Sequence, residues 1–291
     1  MRFLTDVLKR EYGEKVYKLS LSSGCTCPNR DGNIGTGGCA FCSEGGSGEF
    51  AAKAETIDLQ IEEAKERIRR KTDAERFIAY FQSYTNTYGD VDELAELYES
   101  VICREDIAIL SIATRPDCLG DEVLRMLKRL NAIKPVWVEL GLQTMHDRTA
   151  AAMNRGYLLP VFEEALGKLK SAGTEVIVHV IFGLPGETRE DMLETVRYLA
   201  GLHPGPDGIK MQMLNILKGS TLGKQYEAHP FPLLSLEEYT DLIAESIRIL
   251  PENMVIHRMT GDGPGNLLIA PDWVRNKKKV LNTIHRKLRE R

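Results

Sequence analysis

The sequence predicts an α/β protein built as a partial (β/α)6 TIM-like barrel, with a cysteine-rich loop near its start and a helical extension at its end. Three observations predict this. Short apolar runs of strand length alternate with amphipathic stretches of helix length, the pattern of βαβ units in a parallel sheet. Each apolar run stops in polar or glycine-rich text, where parallel barrels carry their reactive residues. And residues 24–48, GCTCPNRDGNIGTGGCAFCSEGGSG, hold four of the 6 cysteines in a stretch too glycine-dense to form helix or much core.

Residues 1–15 mix charged and apolar positions without a continuous apolar run, so they read as a short amphipathic helix and not a signal peptide. Residues 16–21 (VYKLSL) alternate as a strand that delivers the chain into the cysteine loop. Residues 57–70 follow as a charged amphipathic helix, with apolar positions at Ile57, Leu59, Ile61, Ala64 and Ile68. Five more strands are expected at 76–81 (RFIAYF), 106–113 (DIAILSIA), 135–142 (PVWVELGL), 175–182 (EVIVHVIF) and 208–216. Helices at 91–101, 121–130, 160–171, 189–202 and 236–250 separate or follow them. Residues 253–260 add a strand, 261–265 a loop, and a basic helix closes the chain. No linker divides the barrel. The expected organisation is a core over 1–250, its barrel running to about residue 217, with an extension over 251–291 packed on it.

At 291 residues the chain can bury a large core. Hydrophobic residues at 43% and charged residues at 27% are ordinary for a soluble globular protein. No apolar run approaches the roughly 20 residues that span a bilayer, so a cytoplasmic location is expected. There, cysteines are ligands or buried thiols before they are disulfides. A net charge of -4 excludes a chain that is basic all over, though not a local basic patch.

The strand ends offer Gln82, Thr85 to Thr87, Arg115, Asp117, Glu139, Gln143 and residues 183–187. Any one of these can be polar merely because strand ends meet water; their convergence on one rim with a cysteine loop is what points to a site. The loop itself has three readings. Cys25, Cys27, Cys39 and Cys42 can form a four-thiolate zinc site, although C-x-C is tight for one. Cys39-x-x-Cys42 can be a redox pair, but Ser43 to Gly48 make a poor helix start behind it. Or Cys27, Cys39 and Cys42 hold an iron–sulfur cluster one ligand short of four, leaving one iron open, with glycine amides free to approach the sulfides. Elsewhere the plainer readings lead: Cys25 as an incidental loop thiol, Cys103 and Cys118 as buried inert thiols, His179 as a satisfied core histidine, and Met211 and Met213 as core.

The runs CPNRDG (27–32) and GGCAFC (37–42) resemble the Elp3-like branch of the radical S-adenosylmethionine (SAM) enzymes. They are most similar to the bacterial YtqA/YhcC-like group, whose loop reads C-P-N-R-D-G…G-G-C-x-F-C. FQSYTNTY (81–88), TRPD (114–117), ELGLQ (139–143), NRG (154–156), GLPGE (183–187) and TGDGP (260–264) extend the resemblance over almost the whole chain. It implies an N-terminal iron–sulfur cluster loop in which Cys27, Cys39 and Cys42 hold a [4Fe–4S] cluster. The open iron would chelate the amino and carboxylate groups of SAM, which reductive cleavage turns into a 5′-deoxyadenosyl radical. Phe41 resembles the aromatic residue near the adenine, and Gly183 to Gly186 the backbone turn beside it. Glu139, Gln143 and Arg155 match positions that bind the methionine or ribose portions, with Arg155 suited to the methionine carboxylate. Gln82 and Arg115 join them as cofactor-binding candidates on the same rim. No catalytic residue is assigned. Two departures stand out: Tyr157 follows Asn-Arg-Gly where the family commonly has His, and Cys25 stands where a non-cysteine residue is usual.

Residues 275–291 carry eight Lys or Arg against one acid, Glu290, with Val280, Leu281, Ile284 and Leu288 as an apolar stripe. This is a docked helix whose basic face is either simply solvated or a footprint for RNA phosphates. The resemblance favours tRNA as partner, with a wobble uridine side chain of the 5-aminomethyl type (the MnmL type) as substrate and a flavodoxin or ferredoxin as electron donor. A small metabolite or protein side chain is the alternative substrate, and a zinc-stabilised RNA-binding module the non-catalytic one.

Overall fold

In the computed structural model, which describes residues 1–46, 48–70, 72–261 and 263–290, the apolar runs become strands and the amphipathic stretches helices. Ser47 of the cysteine loop, Asp262 of the TGDGP segment and Arg291 of the basic tail lie outside the described residues. The order begins β1 (Arg2–Phe3), α1 (Leu4–Tyr12), β2 (Tyr17–Leu21), α2 (Ile57–Arg69), β3 (Phe77–Phe81), α3 (Val91–Ile102), β4 (Ile107–Thr114) and α4 (Asp121–Asn131). It continues β5 (Val136–Gln143), α5 (Asp147–Ala152), α6 (Leu159–Ser171), β6 (Glu175–Phe182), α7 (Arg189–Gly201) and β7 (Gly208–Met213). It ends β8 (Ile216–Leu217), α8 (Thr221–Ala228), α9 (Leu236–Ile249), β9 (Val255–Arg258), β10 (Leu268–Ala270) and α10 (Lys277–Arg289).

Strands β2 to β7 are the six expected barrel strands. They lie in one 8-stranded sheet in the order β1-β9-β7-β6-β5-β4-β3-β2, and every neighbouring pair is parallel. The reason they read as apolar runs is visible in β3, FIAYF, which is buried at every position because both of its faces are covered. Helix starts follow local chemistry. The Asp90 carboxylate accepts from two amides at the head of α3, and Thr188 and Ser235 form capping boxes at α7 and α9.

The sheet interior is layered. At the bottom Ile78, Ile109, Trp137 and Ile177 project from β3 to β6 and pack on Leu8 of α1. The amphipathic first helix is therefore a plug. Leu8→Ala should cost about 2–5 kcal/mol, the usual range for a buried leucine, measurable as a lowered denaturation midpoint. Above the plug lies a layer of Lys18, Tyr80, Ser111, Glu139, His179 and Lys210, joined by contacts to Glu139 or Tyr80. Ser20, Gln82, Gly141 and Gln212 come next toward the carboxyl ends of the strands.

The strand expected at 253–260 exists as β9, but it lies inside the sheet between β7 and β1. A boundary at residue 250 therefore cuts through the sheet, because β9 takes its backbone partners from both sides. The remainder of the extension does pack on the core: Val280 and Ile284 of α10 are buried there. Lys287 does not belong to the outward basic face; it is buried and bonded to Glu237 and Asp241 of α9. The described residues contain no helix long and apolar enough to cross a membrane.

Candidate active site

The cysteine loop leaves β2, folds back over the carboxyl ends of the strands and is stitched to them. Amides of Arg30 and Asp31 donate to the Cys27 carbonyl at 2.8 and 3.2 Å, and the Cys42 amide donates to the Cys39 carbonyl at 2.9 Å. Asn29, buried, donates to the Asn154 carbonyl at 2.6 Å, while the Asn154 side chain donates back to the Gly38 carbonyl at 2.9 Å. The two asparagines are thus a clasp between the CPNRDG and NRG segments. Gly38 is required because a Cβ would come within 2.7 Å of Arg30, whose guanidinium crosses behind it to the Ser43 and Glu44 carbonyls.

Cys27, Cys39 and Cys42 line one cavity of about 650 Å³. Cys42 donates to Cys39, and with Arg115, Asn29 and Arg30 nearby the Cys39 thiol is drawn down to about 7 against the opposition of burial. As donor and buried partner, Cys42 is pushed up. Arg115 and Arg30 thus set positive charge beside the Cys39 sulfur, which favours its thiolate form. Cys25 turns away: it packs against the main core, and a Cβ on Gly89 would stand 3.6 Å from its sulfur. The four-thiolate zinc reading loses its fourth member. Cys118 is half-buried, its thiol pushed up to about 12 by burial and Asp117. Cys103, expected to be buried, is exposed at the end of α3, where the helix stops and the chain turns outward.

Of the remaining candidates, Phe41, Gln82, Arg115, Glu139, Gln143 and Arg155 all border this cavity, and Gly183 and Gly186 do not. The turn they belong to packs Leu184 against Ala40, Met153 and Ile181, supporting the cysteine loop from below. Gly183 and Gly186 are glycine because their φ angles are 87° and 85°, in the left-handed region.

Arg155 differs most from expectation. Its guanidinium donates to the Leu142, Thr144 and Tyr157 carbonyls and to Asp147, so every N–H is engaged by the protein. No fork is left for a carboxylate. Arg115 is held by both Asp117 oxygens, at 2.9 and 2.6 Å, and donates to the Arg155 carbonyl at 2.9 Å. Between the two guanidiniums lies the Tyr157 ring, 4.3 Å from Arg155 and 5.1 Å from Arg115. Burial pushes the Tyr157 phenol up, so it stays protonated and donates to the Gly141 carbonyl. Gln143, beside it, has a φ of 65°; among the described residues Tyr84 and Asn154, at 58° and 50°, are the other non-glycine left-handed residues, and all three stand around this rim. Such strain concentrates at functional sites.

Glu139 lies lower. It accepts from Lys18 at 2.6 Å, Ser111 at 2.9 Å, His179 at 2.6 Å, and Lys210. Burial opposes its charge, but Lys18, Lys210 and His179 outweigh that and hold the carboxyl well below the usual range. Burial and Lys210 push His179 down to about 4, so it is neutral and satisfied by Glu139, as the sequence reading expects of it. Sequence reasoning missed Lys18, Lys210, Arg258 and the asparagine clasp. A charged residue at an inward position of a strand was the available signal.

Residues 27–199 match the model of the Radical SAM superfamily, and residues 206–290 that of the Radical_SAM C-terminal domain. The chain is 44% identical over 285 residues to the uncharacterized protein YtqA of Bacillus subtilis, covering 98% of this chain and 88% of that protein. It is 26% identical over 161 residues to a tRNA uridine(34) acetyltransferase of Methanocaldococcus jannaschii, which covers 55% of this chain and 29% of that protein. Among solved structures the archaeal Methanocaldococcus infernus Elp3 superposes with a TM-score of 0.69 at 17% identity, over 94% of this chain and 63% of that one. That likeness is one of fold.

Proposed function

The chain belongs to the Radical SAM superfamily, whose members use a [4Fe–4S] cluster and SAM, and from that premise we propose that it modifies a tRNA base at the wobble uridine side chain. Cys27, Cys39 and Cys42 would hold the cluster, as their shared cavity and the thiolate character of Cys39 favour. When bound, the cluster and SAM supply a 5′-deoxyadenosyl radical that abstracts hydrogen from the substrate. The protein's own part is to orient and to exclude water. The Asn29–Asn154 clasp fixes the loop over the strand ends, Phe41 offers an apolar wall, and Arg115 places a fixed positive charge near Cys39 and Cys27.

The observation that carries the reading is a three-cysteine loop closing a cavity of about 650 Å³ that is lined by polar and cationic groups. That volume suits a small-molecule site. Two things favour tRNA. A relative that matches over 161 residues is named for uridine 34 of tRNA. And α10 presents Lys278, Lys279, Arg286 and Arg289 around a shallow surface groove, a footprint for phosphates. The test is direct. Anaerobically reconstituted protein given SAM and a reductant, flavodoxin or ferredoxin in the cell, should release 5′-deoxyadenosine. Nucleosides from cells lacking the gene should show one altered uridine derivative. An unchanged uridine profile would count against tRNA and favour a metabolite or protein side chain.

A further inference from the structure

Asn29 does more in the cysteine loop than close the clasp. Its side-chain nitrogen carries two hydrogens. That nitrogen donates to the Asn154 carbonyl at 2.6 Å and to the Cys39 sulfur at 3.8 Å, the longer contact being to a large, polarisable acceptor. Chemistry fixes the orientation of the amide. The Asn154 carbonyl can only accept, so the nitrogen must face it and the Asn29 oxygen must face away. That oxygen lies against Gly35 and Gly156, where an added Cβ would stand 2.6 and 3.5 Å from it. The residue is 1% exposed, so its second hydrogen is shut off from bulk water.

A clasp alone needs one N–H. The second is buried as well and must find an acceptor, and the acceptor it meets is a cysteine sulfur. A donor at a ligand sulfur draws negative charge away from a cluster held there. The reduced cluster carries one more electron than the oxidised one, so such a donor favours the reduced form and raises the potential. The neighbouring guanidiniums are directed elsewhere. Both Asp117 oxygens hold Arg115, and Arg30 donates to the Ser43 and Glu44 carbonyls.

We propose that Asn29 is a positioning residue for electron entry: its N–H to the Cys39 sulfur raises the reduction potential of the cluster, and the Asn154 carbonyl holds that N–H in place. The proposal rests on Cys39 being a cluster ligand, and it adds the side chain that sets how readily the cluster accepts its electron.

The test uses reconstituted protein without SAM, titrated anaerobically with a chemical reductant and followed by EPR of the reduced cluster. Asn29→Leu keeps the branched shape, excludes water and has no donor; its midpoint potential should shift to a more negative value. Asn154→Gly is the control. It tolerates the left-handed φ of 50°, keeps the carbonyl that receives Asn29 and loses only the bond to the Gly38 carbonyl, so its potential should match wild type. A purely structural clasp would give no shift in either variant, or equal shifts in both, and either result overturns the proposal. Nitrogen-15 placed in the asparagine side-chain amides gives a second readout. Pulsed EPR of the reduced wild-type cluster should show a nitrogen-15 coupling that persists in Asn154→Gly and is absent from Asn29→Leu. Wild-type protein without that coupling overturns the proposal, and this measurement decides the matter if Asn29→Leu takes up no iron. The iron content of Cys39→Ala reports on the ligand reading by itself: full iron there removes Cys39 from the cluster. Iron lost there, with an unshifted Asn29→Leu potential, sinks the role of Asn29 alone.

Discussion

Cys39→Ala should leave the protein folded and unable to retain iron, with SAM cleavage reduced by at least ~10³-fold, equivalent to about 4 kcal/mol of barrel-site chemistry lost. Cys27→Ala and Cys42→Ala should behave alike, since a cluster that already lacks one protein ligand has no spare to lose. Cys25→Ala is the internal control. Its sulfur packs toward Gly89 and the main core and does not border the cavity, so that variant should keep the wild-type iron and sulfide content. The measurement is iron and acid-labile sulfide per chain after anaerobic reconstitution, alongside 5′-deoxyadenosine. If Cys25→Ala loses iron as Cys39→Ala does, or if the protein takes up one zinc per chain and no iron, the three-ligand assignment is wrong. Folding can be checked separately, because the loop is also held by the Asn29–Asn154 clasp, which no cysteine supplies.

The reach of the sequence has a physical pattern. The six barrel strands were legible because parallel strands covered on both faces must be almost wholly apolar, as β3 is, and because each ended in a change of composition. That Cys27, Cys39 and Cys42 stand together was legible because they are close in the chain, and they line one cavity. What escaped is what depends on partners distant in the chain. The periodicity of residues 1–15 shows that α1 has an apolar face, and cannot show that Leu8 meets Trp137 and Ile177 from the far side of the barrel. The polar layer around Glu139 of β5 draws on β2, β4, β6 and β7, with 121 positions between Lys18 and Glu139 alone. A lysine inside YKLSL or GIKMQM breaks the apolar pattern, but a break says only that something polar is wanted there. The glycines of the GLPGE turn, Gly183 and Gly186, have left-handed φ angles, a need of the backbone that says nothing of what the turn faces.

Arg155 shows the same limit in a single residue, and it yields the second large effect. The family resemblance implies that Arg155 pairs with the methionine carboxylate of the cofactor. In the structure it instead ties the end of β5 to the segment carrying Tyr157, through the Leu142 carbonyl at 2.8 Å, Thr144 at 2.7 Å and Tyr157 at 2.9 Å, with Asp147 at 3.2 Å. Gln143, between two of those carbonyls, is held at a φ of 65° that its own side chain does not favour. Arg155→Lys should therefore lower stability by about 3–5 kcal/mol, because one ammonium cannot replace a five-donor fork and buried carbonyls are left unpaired. The loss should appear as a lowered denaturation midpoint without SAM. SAM affinity should fall with it, as Gln143 and Tyr157 relax from their joint position 3.3 Å apart. A residue whose task is to grip the cofactor would give the opposite signature: an unchanged midpoint without SAM, with weakened SAM binding alone. The two roles thus separate on a measurement that needs no substrate. A midpoint unmoved by Arg155→Lys would return this side chain to the cofactor and mean that its backbone contacts open when SAM arrives.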